Sequence, residues 1–361
     1  MKPVKVGVIG LGMIGQIMHL PYLKEMDEYE LTAVCDASPK LTRRIADHYG
    51  VPFATTDWKE FIAHRNMDAI VILTINHSEI SIAAARASKH VLCEKPVTFS
   101  VKEGLEVKKA VDKAGVVFMV AYMKRYDDGY LLGRKYFDAM KKRGDVRLIE
   151  LHDVCFDDPL AISSMYDIWK YNDIPQEMRK ENVAKMNARL REAVGANAPD
   201  NVVTAYRLLL ETGSHDVNVL RGAFGAPKRV LSTEVWPEGN WLTTTLEYGG
   251  DARCVFSMAV TARNWGDEHI TAYGMTETVS VEFPIPYHRN EPTLVSRVSM
   301  KGDITSRETI KASHAEAFKC ELRHFHECIT KNKKPLTSLE EGIEDTQLMT
   351  DIIKAFGKKR G

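Results

Sequence analysis

The sequence predicts an α/β protein in two parts, a doubly wound parallel sheet followed by an α+β domain with a mainly antiparallel open sheet. Three observations carry this. From residue 1 to about 125, short apolar β-branched runs alternate with helical-period segments, the pattern of βα units. The glycine-rich stretch Gly10-Leu11-Gly12-Met13-Ile14-Gly15 joins the first such run to the first helical segment. After Arg125, strand-like runs follow one another without crossover helices, which favours antiparallel neighbours.

The length of 361 residues exceeds one small core and suits two domains, placed at 1–125 and 126–361. In such a chain a cleft between domains is the default ligand site. Hydrophobic residues make up 44% and charged residues 27%, enough to bury a core and too little charge for disorder. Lys plus Arg and Asp plus Glu both number 49, so no net field attracts nucleic acid or an anionic membrane. The clusters Lys141-Lys142-Arg143 and Lys358-Lys359-Arg360 are short enough to be a solvated turn and tail. Six cysteines lack any Cys-x-x-Cys pair, which points to free thiols and a cytoplasmic address. The apolar run after Lys5 is broken by glycine and reads as a strand, not a signal peptide. Ala114–Met123 is too short to span a membrane and reads as a buried strand.

In the first part the expected strands are Val4–Ile9, Leu31–Cys35, Ala69–Thr74, Val91–Cys93 and Val116–Val120, with a short one near Phe53. They are mostly continuous apolar runs, as strands covered on both faces require. Ser100 with Glu103, and more weakly Asp57 with Glu60, have capping-box spacing. In the second part the expected strands are Val146–Val154, Arg229–Val235, Leu242–Tyr248, Ala252–Val260 and Glu277–Phe283. Residues 173–223, punctuated by Pro175, Gly195, Pro199 and Gly213, read as an insertion plus one core helix. Phe318, Leu322, Phe325 and Ile329 form one apolar stripe of a later helix.

The glycine stretch has the context of a dinucleotide site. Gly10 permits a tight turn, Gly12 removes a side chain from the path of a pyrophosphate, and Gly15 lets helix and strand pack closely. Asp36 closes the next strand, 21 residues after Gly15, where a carboxylate accepts from a ribose 2′-hydroxyl. The first part is therefore read as a Rossmann domain that binds NAD, with NADP disfavoured because Asp36 repels a 2′-phosphate. Arg43 and Arg44 of the next helix are within reach of a phosphate there, with a surface-facing role the commoner reading.

Together with Gly10–Gly15, the segment from His77 to Glu94-Lys95-Pro96 and the stretch Glu211-Thr212-Gly213-Ser214-His215 resemble the Gfo/Idh/MocA oxidoreductases, over nearly the whole chain. The resemblance implies that Lys95 lies beside the nicotinamide and touches both cofactor and a substrate hydroxyl, and that the substrate is a sugar, a sugar derivative or a cyclitol. Chemistry points the same way: a lysine just past a strand end, partly buried beside a positive ring, loses charge and can accept a proton. His215 is the second candidate proton acceptor. Glu211, four residues earlier, would share its face on a continuous helix and orient the ring, although Gly213 lies between them and the family usually has aspartate there. Met13 and Ile14 in the glycine turn, Thr74, Asn76 and His77 after the fourth strand, and Glu94 beside Lys95 complete the cofactor set; Ile75 stands where the family often has proline. Tyr122 and Arg125 resemble a substrate-facing pair. A homo-oligomer, dimer or tetramer, is also implied.

No metal is expected: Cys320, His324 and Cys328 share one helix face, but a zinc site usually draws on more than one element. Trp169, Tyr171 and Trp265 are aromatic candidates for stacking on a sugar, with packing the commoner role. Two alternatives remain within the resemblance: a glycoside-cleaving enzyme that retains NAD and acts by transient oxidation, and a non-catalytic dinucleotide-binding sensor.

Overall fold

The computed structural model describes residues 2–156 and 158–357. The basic cluster Lys358-Lys359-Arg360 lies outside the described residues. The chain forms two compact units, each assembled from three stretches: Met1–Tyr122, Tyr166–Leu190 and Phe318–Glu344 in the first, and Met123–Met165, Arg191–Ala317 and Asp345–Gly361 in the second.

The first unit is built on six strands, β1 (Val4–Ile9), β2 (Tyr29–Cys35), β3 (Phe53–Thr55), β4 (Ala69–Ile72), β5 (His90–Glu94) and β6 (Phe118–Ala121). Between them run α1 (Leu20–Glu25), α2 (Pro39–Tyr49), α3 (Trp58–Ala63), α4 (His77–Arg86) and α5 (Val101–Ala114). The sheet order is β3-β2-β1-β4-β5-β6, and every pairing is parallel. The order reverses beside β1, and in such sheets ligands bind outside the carboxyl ends of the strands at that point. Apolar side chains from both the strands and the helices, among them Ile70, Ile72, Val91, Val107 and Phe118, fill one core that Leu339 and Ile343 join. The capping signals are legible in the structure. Ser100 accepts from the Glu103 N–H at 3.3 Å, while the Glu103 carboxylate accepts from the Phe99 N–H at 3.1 Å, one residue earlier than in the standard box. Asp57 accepts from the Lys59 N–H at 2.8 Å, but the Glu60 carboxylate takes the Thr55 hydroxyl instead.

The second unit carries β7 (Leu148–Cys155), β8 (Arg229–Val235), β9 (Trp241–Glu247), β10 (Arg253–Val260), β11 (Asp267–Tyr273), β12 (Glu277–Phe283), β13 (Leu294–Lys301) and β14 (Ile304–Lys311). They form one sheet in the order β14-β13-β12-β11-β7-β10-β9-β8. It is antiparallel except where β10 runs parallel to β7. That exception follows from the helices between β7 and β8, because a parallel pair needs a long connection. Burial alternates along β7 and β10: Ile149, Leu151, Asp153, Cys254, Phe256 and Met258 are buried, and Leu148 and Val255, on the opposite face, are exposed. One face is therefore packed and the other open. The strands β11, β13 and β14 were not expected from the sequence. Their runs interrupt apolar residues with charges and hydroxyls, and β14 at the edge is almost wholly exposed.

The helices of this part of the chain are α6 (Asp128–Lys142), α7 (Asp158–Met165), α8 (Gln176–Val194), α9 (Asp200–Glu211) and α10 (Ser214–Phe224), followed by α11 (Ala317–Lys331) and α12 (Leu339–Lys354). Residues 173–223 thus hold three helices, not one core helix with an insertion. Each punctuating residue stands at a helix boundary: Pro175 before α8, Gly195 after it with φ +118°, Pro199 before α9 and Gly213 before α10. On α11, Phe318, Leu322 and Phe325 are buried as their spacing predicts.

Candidate active site

In the first unit the glycine turn is built as its sequence implies. Gly10 has φ +91°, and a Cβ there would lie 2.7 Å from the Leu73 backbone, so only glycine fits. A Cβ on Gly15 would approach the Gly10 carbonyl to 3.1 Å. Gly12 is different: it is exposed, and nothing lies within 4 Å of the place a Cβ would take. The space in front of it is open at a helix start, which is what a pyrophosphate needs. Met13 and Ile14 follow, both partly buried, and the first turn from Gly15 to His19 is wound as a π-helix.

Asp36, just past β2, is tied back to this turn. Its carboxylate accepts from the Leu11 N–H at 2.8 Å and the Ser38 N–H at 2.9 Å. Each oxygen keeps further acceptor capacity, so the carboxylate is held in place and can still take a hydroxyl. A dinucleotide therefore fits the residues present: Gly10, Gly12 and Gly15 would hold its pyrophosphate and Asp36 its ribose.

Lys95 follows β5, partly buried, in a cis peptide bond with Pro96. Two groups fix its backbone. The buried Glu94 carboxylate accepts from the Lys95 N–H at 3.1 Å and from His19 Nε2 at 2.8 Å. Burial works against this charge, but the His19 contact and the Lys95 charge hold the Glu94 carboxyl below the usual range. At the start of α4 the buried His77 Nδ1 lies 2.7 Å from the Pro96 carbonyl. A carbonyl only accepts, so this nitrogen carries the proton. Burial lowers the His77 pKa, which keeps the ring neutral. Thr74 and Asn76 lie in the loop between β4 and α4 with Ile75 between them 69% exposed. The Asn76 side chain accepts from Arg189 of α8 at 3.1 Å. Tyr122, after β6, is buried.

In the second unit Glu211 ends α9 and His215 lies in the first turn of α10, so the two are not on one continuous helix. The break at Thr212–Gly213 is the one the glycine signals. The Glu211 carboxylate accepts from Arg207 at 2.7 Å, one turn back. Arg125 is buried and donates to the Asn218 carbonyl and side chain, both at 3.2 Å. A Cβ on Gly222 would strike its guanidinium at 2.5 Å.

Next to His215 is a group the sequence did not disclose. The carboxylates of Asp153 on β7, Asp216 on α10 and Glu268 on β11 bring oxygens within 4.8 Å of one another. The buried Lys124 ammonium pairs with Glu268. Burial raises the Asp216 pKa well above the carboxylate range, and Asp153 and Glu268 push it further. Although burial opposes the Lys124 charge, the Glu268, Asp216 and Asp153 carboxylates raise its pKa. Asp153 and Asp216 look like ordinary strand and helix residues in sequence, and only the packing of α10 on β7 joins them. Lys124 stands beside the expected Arg125, which is the nearest signal the sequence offers.

Of the other candidates, His324 Nε2 accepts from the Leu336 N–H at 3.0 Å, which commits one nitrogen of the weighed zinc pattern. Trp169 packs in the first unit against His48 and under Arg44. Tyr171 and Trp265 are exposed, the latter beneath Arg263.

Residues 4–122 match the family model of the Gfo/Idh/MocA oxidoreductases, described as NAD-binding with a Rossmann fold. Over these residues the chain is similar to this family. It is 26% identical over 253 residues to scyllo-inositol 2-dehydrogenase (NADP(+)) of Bacillus subtilis, covering 68% of this chain and 60% of that one. It is 36% identical over 128 residues to myo-inositol 2-dehydrogenase of Thermotoga maritima, covering 35% and 38%. The chain thus spans 60% or less of the length of these relatives. Its fold is that of the aldose-aldose oxidoreductase of Caulobacter crescentus, with a TM-score of 0.73, 18% identity and coverage of 98% and 97%. Among the described residues no helix is long and apolar enough to cross a membrane.

Proposed function

We propose that the protein is an NAD-dependent dehydrogenase that moves a hydride between a carbinol carbon of a sugar, sugar derivative or cyclitol and nicotinamide. The observation that carries this reading is the pairing, in one Rossmann unit, of an open glycine turn tied to Asp36 with a lysine whose backbone is fixed from two sides. The nicotinamide supplies the hydride acceptor or donor. The chain supplies proton transfer: Lys95 Nζ takes the hydroxyl proton, with His215 as the second group able to accept it. Glu94 and His77 act through the Lys95–Pro96 backbone and are positioning residues. Inositol dehydrogenases among the relatives support the cyclitol class. One of them is named for NADP(+), so the preference for NAD rests on Asp36 of this chain and its repulsion of a 2′-phosphate. The test is formation of reduced nicotinamide from NAD across sugars, cyclitols and glycosides. A glycoside hydrolysed with no net NADH would replace this reading with redox-assisted cleavage.

The protein is further proposed to be a homo-oligomer acting in the cytoplasm, where its free cysteines stay reduced. The open sheet face carries the exposed Leu148, Val255 and Trp241 on neighbouring strands, which association would cover. Light scattering is expected to give a multiple of the chain mass at micromolar concentration; a monomer mass would count against it.

A further inference from the structure

The stretch Tyr166–Leu190 lies far in sequence from the glycine turn but belongs to the same compact unit. It crosses the carboxyl-end side of the sheet and is fastened there. The Gln16 side chain brackets the Trp169 backbone, its Oε1 accepting from the Trp169 N–H at 2.9 Å and its Nε2 donating to the Trp169 carbonyl at 3.1 Å. The same Nε2 donates to the Leu11 carbonyl at 2.9 Å. Four residues on, the Asp173 carboxylate accepts from the Ser38 hydroxyl at 2.6 Å and the Lys40 N–H at 2.9 Å.

These bonds close a ring. Asp36 binds the backbone N–H groups of Leu11 and Ser38, and Ser38 in turn gives its hydroxyl to Asp173. Only Ser38 separates the two carboxylates. Ser38 is the N-cap of α2, so Asp173 has taken an anion-binding position at the start of that helix. An NADP-binding Rossmann site needs just such a place, with a nearby arginine to accommodate the 2′-phosphate. Here the two arginines of α2 have other partners: Arg44 lies 4.5 Å from the Trp169 ring centre, and Arg43 is 3.8 Å from Asp47, while the Lys40 charge faces Asp173.

We propose that Asp173, carried in by the 166–173 strap, is a second cofactor-selectivity residue: it occupies the anion position beside Asp36 and excludes a 2′-phosphate. The Ser38 hydroxyl, against desolvation and with help from the Lys40 N–H and charge, holds its carboxyl below the usual range, so it is ionised at neutral pH. The inference rests on the NAD reading of the site and deepens it. A consequence is that Asp36→Ser alone leaves a residual preference for NAD, because the second carboxylate remains.

The experiment measures dissociation constants of NADH and NADPH, by nicotinamide fluorescence, for the full chain and its Asp173→Asn, Asp36→Ser and doubly substituted forms. Asparagine keeps the shape and, with the Ser38 hydroxyl rotated, both hydrogen bonds, so only the charge is lost. Asp173→Asn is expected to tighten NADPH by about tenfold relative to NADH, with NADH affinity little changed. The double variant is expected to exceed Asp36→Ser in the same ratio. An unchanged NADPH/NADH ratio, or parallel weakening of both, would overturn the inference and leave Asp173 a fold-supporting residue. Asp173→Ser is read by the same ratio should the asparagine form fail to fold. A wild-type preference for NADPH would overturn the NAD reading itself, whereas this inference is decided by the change in ratio at position 173.

Discussion

Gly10 and Gly12 sit two positions apart and obey different physics, which makes them a test of the cofactor turn. Gly10→Ala puts a Cβ on a φ of +91° and against the Leu73 backbone, strain of about 1–3 kcal/mol or more. It is expected to lower the melting temperature with or without cofactor. Gly12→Ala meets no protein atom, so its stability is expected to match wild type while NAD binds at least about tenfold more weakly. Calorimetry with and without NAD separates the two; equal NAD affinity in Gly12→Ala would remove the pyrophosphate from this turn. Such residues were legible in the sequence because their reasons are local. Asp173 and Gln16 were not, since a surface aspartate and a helix glutamine acquire meaning only when the strap is folded over α2. The acidic group around Lys124 was hidden for the same reason, as its members come from β7, α10, β11 and the turn after β6.

Individual elements followed the sequence where packing and period agreed. The six strands of the first sheet are mostly apolar, and their ends moved by only a few residues from the expected runs. The helix breaks at Gly195 and Gly213 stand where glycine and proline predicted them, and it is this break that takes Glu211 off the helix of His215. The missed β13 and β14 interrupt their apolar residues with charges and hydroxyls; β13 is a strand on the ladder that β12 offers, and β14 on the ladder of β13. On α11 the apolar stripe hides an exception, Glu321, which is wholly buried with no hydrogen-bond partner on either oxygen among the described residues. Burial raises its pKa well above the ordinary value, and Glu94 pushes it further. Because the folded pKa exceeds the unfolded value of about 4.3, the stability of the neutral form is fully present below that pH. It is lost as pH rises toward the folded pKa, by up to about 1.4 kcal/mol per pH unit. Glu321→Gln cannot ionise, so its melting temperature relative to wild type is expected to be higher at pH 8 than at pH 5. The same difference at both values would show that Glu321 is solvated.

At the scale of the molecule, each unit is built on its own sheet. The first carries the open glycine turn tied to Asp36 and the fixed Lys95 backbone, and the second carries His215 and the buried acidic group. The central claim is that this arrangement oxidises a carbinol with Lys95 as proton acceptor, and it is tested by NAD reduction on the best sugar or cyclitol of a panel, in wild type and Lys95→Ala. NAD affinity is measured alongside. The expected result is turnover in wild type and a loss of about 10²–10⁴-fold in the variant, with NAD affinity mostly intact because the glycine turn and Asp36 hold the cofactor. His215→Ala is expected to lose turnover as well, and the double variant little more than the worse single one if the two groups act as a unit. Full turnover in Lys95→Ala, or no NADH from any sugar or cyclitol with wild type, would contradict the account.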